Sequence, residues 1–136
     1  MVSQNDDEQT LIDQAVTLRN MAQLRTHVLQ FAAQAGLATE RAEAFAVAVN
    51  EAVTNAIKYA GGSGELTVVQ DDEHRLIAEV RDAGPGMPCS IMLALPPPQA
   101  TGGRGMWLAR ELADHMEVRS GNDGSTVRLE MNLQTP

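Results

Sequence analysis

The sequence predicts an α+β fold, a two-layer sandwich of a mostly antiparallel sheet with helices on one face. Three observations carry this. Apolar residues recur three and four apart over 20–35, 39–60 and 103–113, the period of amphipathic helices. Five other stretches are short, apolar at alternate positions and rich in β-branched residues, as strands are. Most of these strands are joined by short turns, which antiparallel pairing permits and parallel pairing does not. Helices must then cover one face of the sheet to complete a core.

Met1 to Glu8 is polar and acidic and is expected to fray as a tail, leaving 9–136 as one domain. Thr10 to Leu18 carries Ile12, Val16 and Leu18 on one parity and predicts a first strand. Asn20 to Ala35 predicts a helix on Met21, Leu24, Val28, Leu29 and Phe31, with Gly36 in the C-cap position. Thr39 is the expected N-cap of the next helix, with Glu40 and Glu43 in its first turn where the helix dipole favours them. Its apolar stripe is Phe45, Val49, Ala52, Val53, Ala56 and Ile57, and Gly61, Gly62 and Gly64 stop it.

Glu65 to Gln70 and Leu76 to Arg81 predict a hairpin turning over Asp71 to Arg75, with Leu76, Ala78 and Val80 inward. A loop from Asp82 to about Gly102 follows, stiffened by Pro96, Pro97 and Pro98. Gly103 to Ala113 predicts a third helix with Met106, Leu108, Ala109 and Leu112 on its apolar side. Met116 to Arg119 and Ser125 to Met131 predict a closing hairpin over Gly121-Asn122-Asp123-Gly124.

The 136 residues carry a net charge of -8, with 43% hydrophobic and only 3% aromatic residues. Aliphatic side chains, Ala and Met must therefore fill the core. An acidic surface repels phosphate backbones and anionic lipids, so nucleic acid and membrane surfaces are excluded as expected partners. The chain's one cysteine, Cys89, forms no intramolecular disulfide, and its three histidines show no metal-ligand spacing. The start lacks a signal-peptide pattern and no run is long enough to span a membrane, so the expected location is the cytoplasm.

Three motifs carry chemistry. In Asn50-Glu51-Ala52-Val53-Thr54-Asn55-Ala56, Glu51 and Asn55 lie four apart on the central helix and point the same way. They sit roughly 100–140° from the centre of the apolar stripe, at the rim of the buried face. An amide oxygen is a good Mg²⁺ ligand, and a nearby carboxylate can orient or deprotonate a hydroxyl. The plain alternative is a solvated polar pair.

In Arg81-Asp82-Ala83-Gly84-Pro85-Gly86-Met87, a carboxylate at a strand end can accept a hydrogen bond from an exocyclic amine such as adenine's. Gly84 and Gly86 let the backbone pass close to a flat base. The plain alternative is an Asp-Gly turn. In Thr101-Gly102-Gly103-Arg104-Gly105-Met106-Trp107-Leu108, Gly103 and Gly105 expose backbone N–H groups at a helix start, a natural phosphate site. No βαβ unit surrounds this Gly-x-Gly, so a dinucleotide fold is excluded.

Together, in this order, the motifs resemble the GHKL ATPase superfamily, and within it the anti-sigma factor serine/threonine kinases. Asn50 to Ile57 resembles their N box, Gly103 to Ala109 resembles the third box of actinobacterial members, and the likeness covers roughly 8–131. The resemblance implies the Bergerat ATP-binding fold, with ATP and Mg²⁺ as ligands. It implies that Asn55 coordinates Mg²⁺, Glu51 is the general base or orients the attacking hydroxyl, and Asp82 bonds the adenine amine. Gly84 and Gly86 would admit the base, Gly103 and Gly105 would face phosphate, and 87–102 would be the ATP lid.

It also implies transfer of the γ-phosphoryl group to a STAS-type anti-anti-sigma partner that competes with a sigma factor for the kinase, and it leaves a homodimer open. The sequence departs from the family in one respect: from Met87 to Gly103 it has no charged residue. Arg104 is the nearest cation, its side chain free to reach phosphate or solvent. A non-catalytic, nucleotide-gated partner-switching module is therefore the alternative. A detached histidine-kinase catalytic domain is a third reading.

Overall fold

Alternation along five strands produces the sheet, and one long helix organises what covers it. The computed structural model describes residues 8–59, 63–84 and 105–133. In chain order the elements are β1 (Gln9–Thr17), α1 (Met21–Ala35), α2 (Thr39–Tyr59), β2 (Ser63–Gln70), β3 (Arg75–Asp82), α3 (Gly105–Leu112), β4 (His115–Gly121) and β5 (Gly124–Asn132). The strand order is β1-β2-β3-β5-β4 and every neighbouring pair is antiparallel. This is the predicted α+β two-layer class. The tail to residue 7 and the expected loop over 87–102 lie outside the described residues.

One parity of each inner strand is buried: Leu66 and Val68 on β2, Leu76, Ala78 and Val80 on β3, and Val127, Leu129 and Met131 on β5. Against them α2 sets Phe45, Val49 and Val53, interspersed with Ala42, Ala46, Ala48, Ala52 and Ala56, all buried. These alanines let α2 approach closely, and it packs against α1, α3 and strands β1, β2, β3 and β5. Helix α1 adds Leu24, Val28 and Ala32, and α3 adds Met106 and Ala109.

The other face of the sheet is charged, as solvated faces of antiparallel sheets are. Arg128 pairs with Glu79 at 3.2 Å and Glu130 at 3.0 Å, and Arg75 with Asp71 at 2.7 Å and Glu130 at 3.3 Å. Burial pushes the Asp71 carboxyl up. The hydrogen bonds from the Arg75 side chain and from the backbone N–H groups of Arg75 and Glu73 outweigh this and hold it below its ordinary value.

Three local expectations need correction. Leu18 does not continue β1 into the core but is 72% exposed. Asn20 closes the strand early: its Oδ1 accepts the Thr17 N–H at 2.9 Å and its Nδ2 donates to the Ala15 carbonyl at 2.9 Å. Thr39 is not the N-cap of α2, because the Ala42 N–H already bonds the Ala38 carbonyl at 2.8 Å and Thr39 lies within the helix. Of the two acidic residues expected in that first turn, only Glu40 lies there. Gly36 does cap α1, at φ 115° with its N–H and that of Leu37 returning to the helix end.

The ends of α2, α3 and β5 meet at a polar clamp. Arg41 Nη1 and Nη2 donate to the two Asp114 carboxylate oxygens at 3.3 and 2.6 Å, and Nη2 also donates to the Asn132 carbonyl at 2.8 Å. The Asn132 N–H donates to Asp114 Oδ2 at 2.8 Å. Arg41's hydrogen bonds hold the Asp114 carboxyl below its ordinary value; burial opposes them and the Asn132 N–H assists.

Two stability predictions follow from this packing. Phe45→Ala empties a fully buried site and should cost about 3–5 kcal/mol in urea denaturation. Asp114 favours its ionised form in the fold, so its contribution is present above the unfolded carboxyl pKa of about 3.9 and is lost as pH falls through the lower folded value. Asp114→Asn should therefore be less stable than wild type at pH 7, and denaturation at stepwise lower pH should show the gap narrowing below about pH 4.

Candidate functional site

The described parts of the three motifs are carried by α2, by the end of β3 with the turn after it, and by the start of α3. On α2, Glu51 and Asn55 are half-buried, while Thr54 and Lys58 beside them are exposed. The Thr54 hydroxyl turns back to the Asn50 carbonyl at 2.8 Å and lies 3.6 Å from Met21 Sδ on α1. Glu51 is on the side that meets α3. A Cβ built on Gly105 would stand 2.5 Å from Glu51 Oε1, so only glycine lets the start of α3 come this near the carboxylate. Glu51 on α2 and Gly105 at the start of α3 are thus in direct contact.

The second junction joins the N box to β3. A Cβ on Gly64 would lie 2.7 Å from the Arg81 carbonyl oxygen and 3.6 Å from the Ala56 methyl. Through this gap α2, at the residue after Asn55, approaches the residue before Asp82. Alternation does the rest: Arg81 lies outward, donating to Glu79 at 3.3 Å and to Thr67 Oγ1 at 2.8 Å, so Asp82 follows the parity of Val80 toward the helices. Asp82 Oδ1 accepts the Gly84 N–H at 3.0 Å, and the turn after the strand is set by the carboxylate itself.

Two further residues shape this end, and neither was singled out from the sequence. Ser125 stands opposite Asp82 in the β3–β5 register, is 5% exposed, and shares a hydrogen bond with Ser120 at 3.1 Å. Gly124, at φ 134°, presses its backbone against the Asp82 carbonyl, with no room for a Cβ. The Gly-Asn-Asp-Gly turn signalled a hairpin but not its partner strand. Of the residues expected in the site, Glu51, Asn55, Asp82, Gly84 and Gly105 are described; Gly86, Gly103 and Arg104 lie outside the described residues.

Residues 15–131 match the sequence profile of the histidine kinase-like ATPase domain. The chain belongs to that family, the GHKL type of ATPase domain. No curated protein matches it significantly. Among solved structures, it is similar to the RsbU and RsbW domains of Rv1364c from Mycobacterium tuberculosis. The TM-score is 0.65 at 16% identity, covering 92% of this chain and 33% of that one.

It is also similar to the histidine kinase domain of the blue-light activated histidine kinase from Erythrobacter litoralis EL346, at TM-score 0.60 and 17% identity, over 85% of this chain and 64% of that one. A third likeness is to full-length ShkA in complex with AMPPNP, at TM-score 0.59 and 18% identity, over 93% and 32%. At these identities the likeness is one of fold, and the chain spans 33%, 64% and 32% of those three structures. No described helix is long and apolar enough to cross a membrane.

Two of the tight glycines, Gly105 against Glu51 and Gly124 against Asp82, differ in what they press against. At Gly105 the obstacle is the end of a flexible side chain, so Gly105→Ala should change stability by less than about 1 kcal/mol while displacing Glu51. At Gly124 it is backbone at a positive φ, so Gly124→Ala should cost about 1–3 kcal/mol. Chemical denaturation of the two variants side by side checks the contrast.

Proposed function

We propose that the chain binds ATP between α2, the end of β3 and the start of α3. In this reading it transfers the γ-phosphoryl group to a serine or threonine of a STAS-type anti-anti-sigma protein, and in its other state it sequesters a sigma factor. It works as one domain over 9–136, in the cytoplasm, alone or as a homodimer. The observation that carries the reading is the contact of Gly105 with Glu51, which brings the base candidate to a glycine-rich helix start. The Gly64 gap between Ala56 and Arg81 supports it from the other side. Family membership supports ATP as the nucleotide. The resemblance of residues 50–57 and 103–109 to anti-sigma factor kinases supports the choice of partner, and the likeness to the RsbU and RsbW domains agrees with it.

The residues present fit a magnesium nucleotide. Asn55 offers a neutral amide oxygen, the hard donor such an ion takes, from the rim of the buried face. When bound, the ion would neutralise phosphate charge, which an acidic chain cannot do alone. Asp82 would accept from the adenine amine, and Gly84 would let the base lie on the turn. The backbone at Gly105 would face phosphate, as would Gly103 and Arg104. Glu51 would take the proton from the attacking hydroxyl as its oxygen bonds the γ-phosphorus and the β–γ bridging P–O bond breaks, releasing ADP.

The second reading, a nucleotide-gated module that switches partners without catalysis, is favoured by the uncharged run from Met87 to Gly103. Kinase and module part company at Glu51. Calorimetry with Mg²⁺-ATP should find Asn55→Ala about tenfold or more weaker than wild type. Glu51→Gln should retain ATP but lose about 10²–10⁴-fold in phosphorylation of a STAS partner. Equal transfer by wild type and Glu51→Gln would remove that role from Glu51, and partner exchange with no transfer by wild type would select the module.

A further inference from the structure

Helix α3 packs along α2, and two contacts mark the ends of that seam. At one, Gly105 opens α3 against Glu51. At the other, Asp114, just past the end of α3, is gripped by Arg41 on the first turns of α2 and by the Asn132 N–H on β5, while its own N–H donates to the Glu130 carbonyl at 3.0 Å. Residues 41 and 51 are about 15 Å apart along α2 at 1.5 Å per residue, and the eight residues of α3 span about 12 Å. Helix α3 is therefore a short strut running back along α2, pinned beyond its C-terminus and meeting Glu51 at its N-terminus. Met106 and Ala109 between the two ends are buried.

The pin is a directional one. Arg41 Nε is buried without a hydrogen-bond partner, while Nη1 and Nη2 at the half-exposed end of the side chain are engaged by Asp114 and Asn132. A planar fork on a carboxylate fixes direction as well as distance. A rigid helix held in this way at one end has a defined position at the other. The adenine end is held by different means: the β3–β5 register and the close approach of Gly124 to Asp82. Releasing the pin should loosen one end of the site and leave the other in place.

We infer that Arg41 and Asp114 are positioning residues for the phosphate end of the nucleotide site, setting from the far end of α3 where Gly105 stands against Glu51. This rests on the nucleotide reading and adds to it residues that touch neither nucleotide nor Glu51. The test compares Mg²⁺-ATP with adenosine, which lacks phosphates, on the full chain. Trp107, the sole tryptophan and on α3 itself, reports ATP by its fluorescence, and ligand-observed NMR reports adenosine.

Asp114→Asn keeps the shape and an acceptor for the Asn132 N–H but removes the charge; Arg41→Lys removes the fork and serves if the first variant does not fold. Folding is checked by circular dichroism and thermal melting without nucleotide. The expected result is ATP affinity weakened at least tenfold with adenosine affinity within twofold of wild type. Folded variants that bind ATP as wild type does overturn the inference, and so does an equal loss for ATP and adenosine, which is general loosening. Wild-type protein that binds neither ligand rejects the nucleotide reading itself.

Discussion

Helix α2 can lie flat on the sheet between two flanking helices only because its buried face alternates Phe45, Val49 and Val53 with alanines. Everything else in the structure is placed relative to that helix. The large side chains fill the space over β2, β3 and β5, and the small ones let neighbouring backbones come close. With aromatics at only 3% of the chain, close approach rather than bulk makes the core. The rim of the same helix then carries Glu51 and Asn55 at fixed height above the sheet.

From that constraint the site follows as a set of short distances bought by missing side chains. Gly64 brings Ala56 toward the end of β3, Gly105 brings α3 onto Glu51, and Gly124 lets the last hairpin brace Asp82. Each glycine joins α2, or the strand end it faces, to a stretch distant in sequence. The charged face of the sheet has no part in this. Its arginines pair with carboxylates across β3, β5 and the β2–β3 turn.

Much of this was legible in the sequence because it is local. The spacing of Glu51 and Asn55, the strand before Asp82 and the glycines opening α3 are all read within one or two turns of chain, and the structure places Glu51, Asn55, Asp82 and Gly105 on the expected elements. The fold class followed from periodicity and short turns. What periodicity does not encode is which strand neighbours which: β5 rather than β4 lies beside β3, and that alone sets Ser125 and Gly124 against Asp82. The Arg41 clamp joins residues 73 and 91 positions apart and has no sequence signature. Leu18 departs from the expected strand because alternation carries no sign of where Asn20 closes the turn.

In the proposed reading, three stretches remote in sequence form one nucleotide pocket on the helix side of the sheet. Titrating the ¹⁵N-labelled chain with Mg²⁺ and a non-hydrolysable ATP analogue, and following backbone amide shifts, tests it most directly. A shared pocket gives saturable shifts that cluster at Glu51 and Asn55, at Asp82 to Gly84 and at the start of α3 from Gly105, with the outward residues Glu79, Arg128 and Glu130 little changed. Shifts confined to the outer face, or none at millimolar analogue, would contradict it.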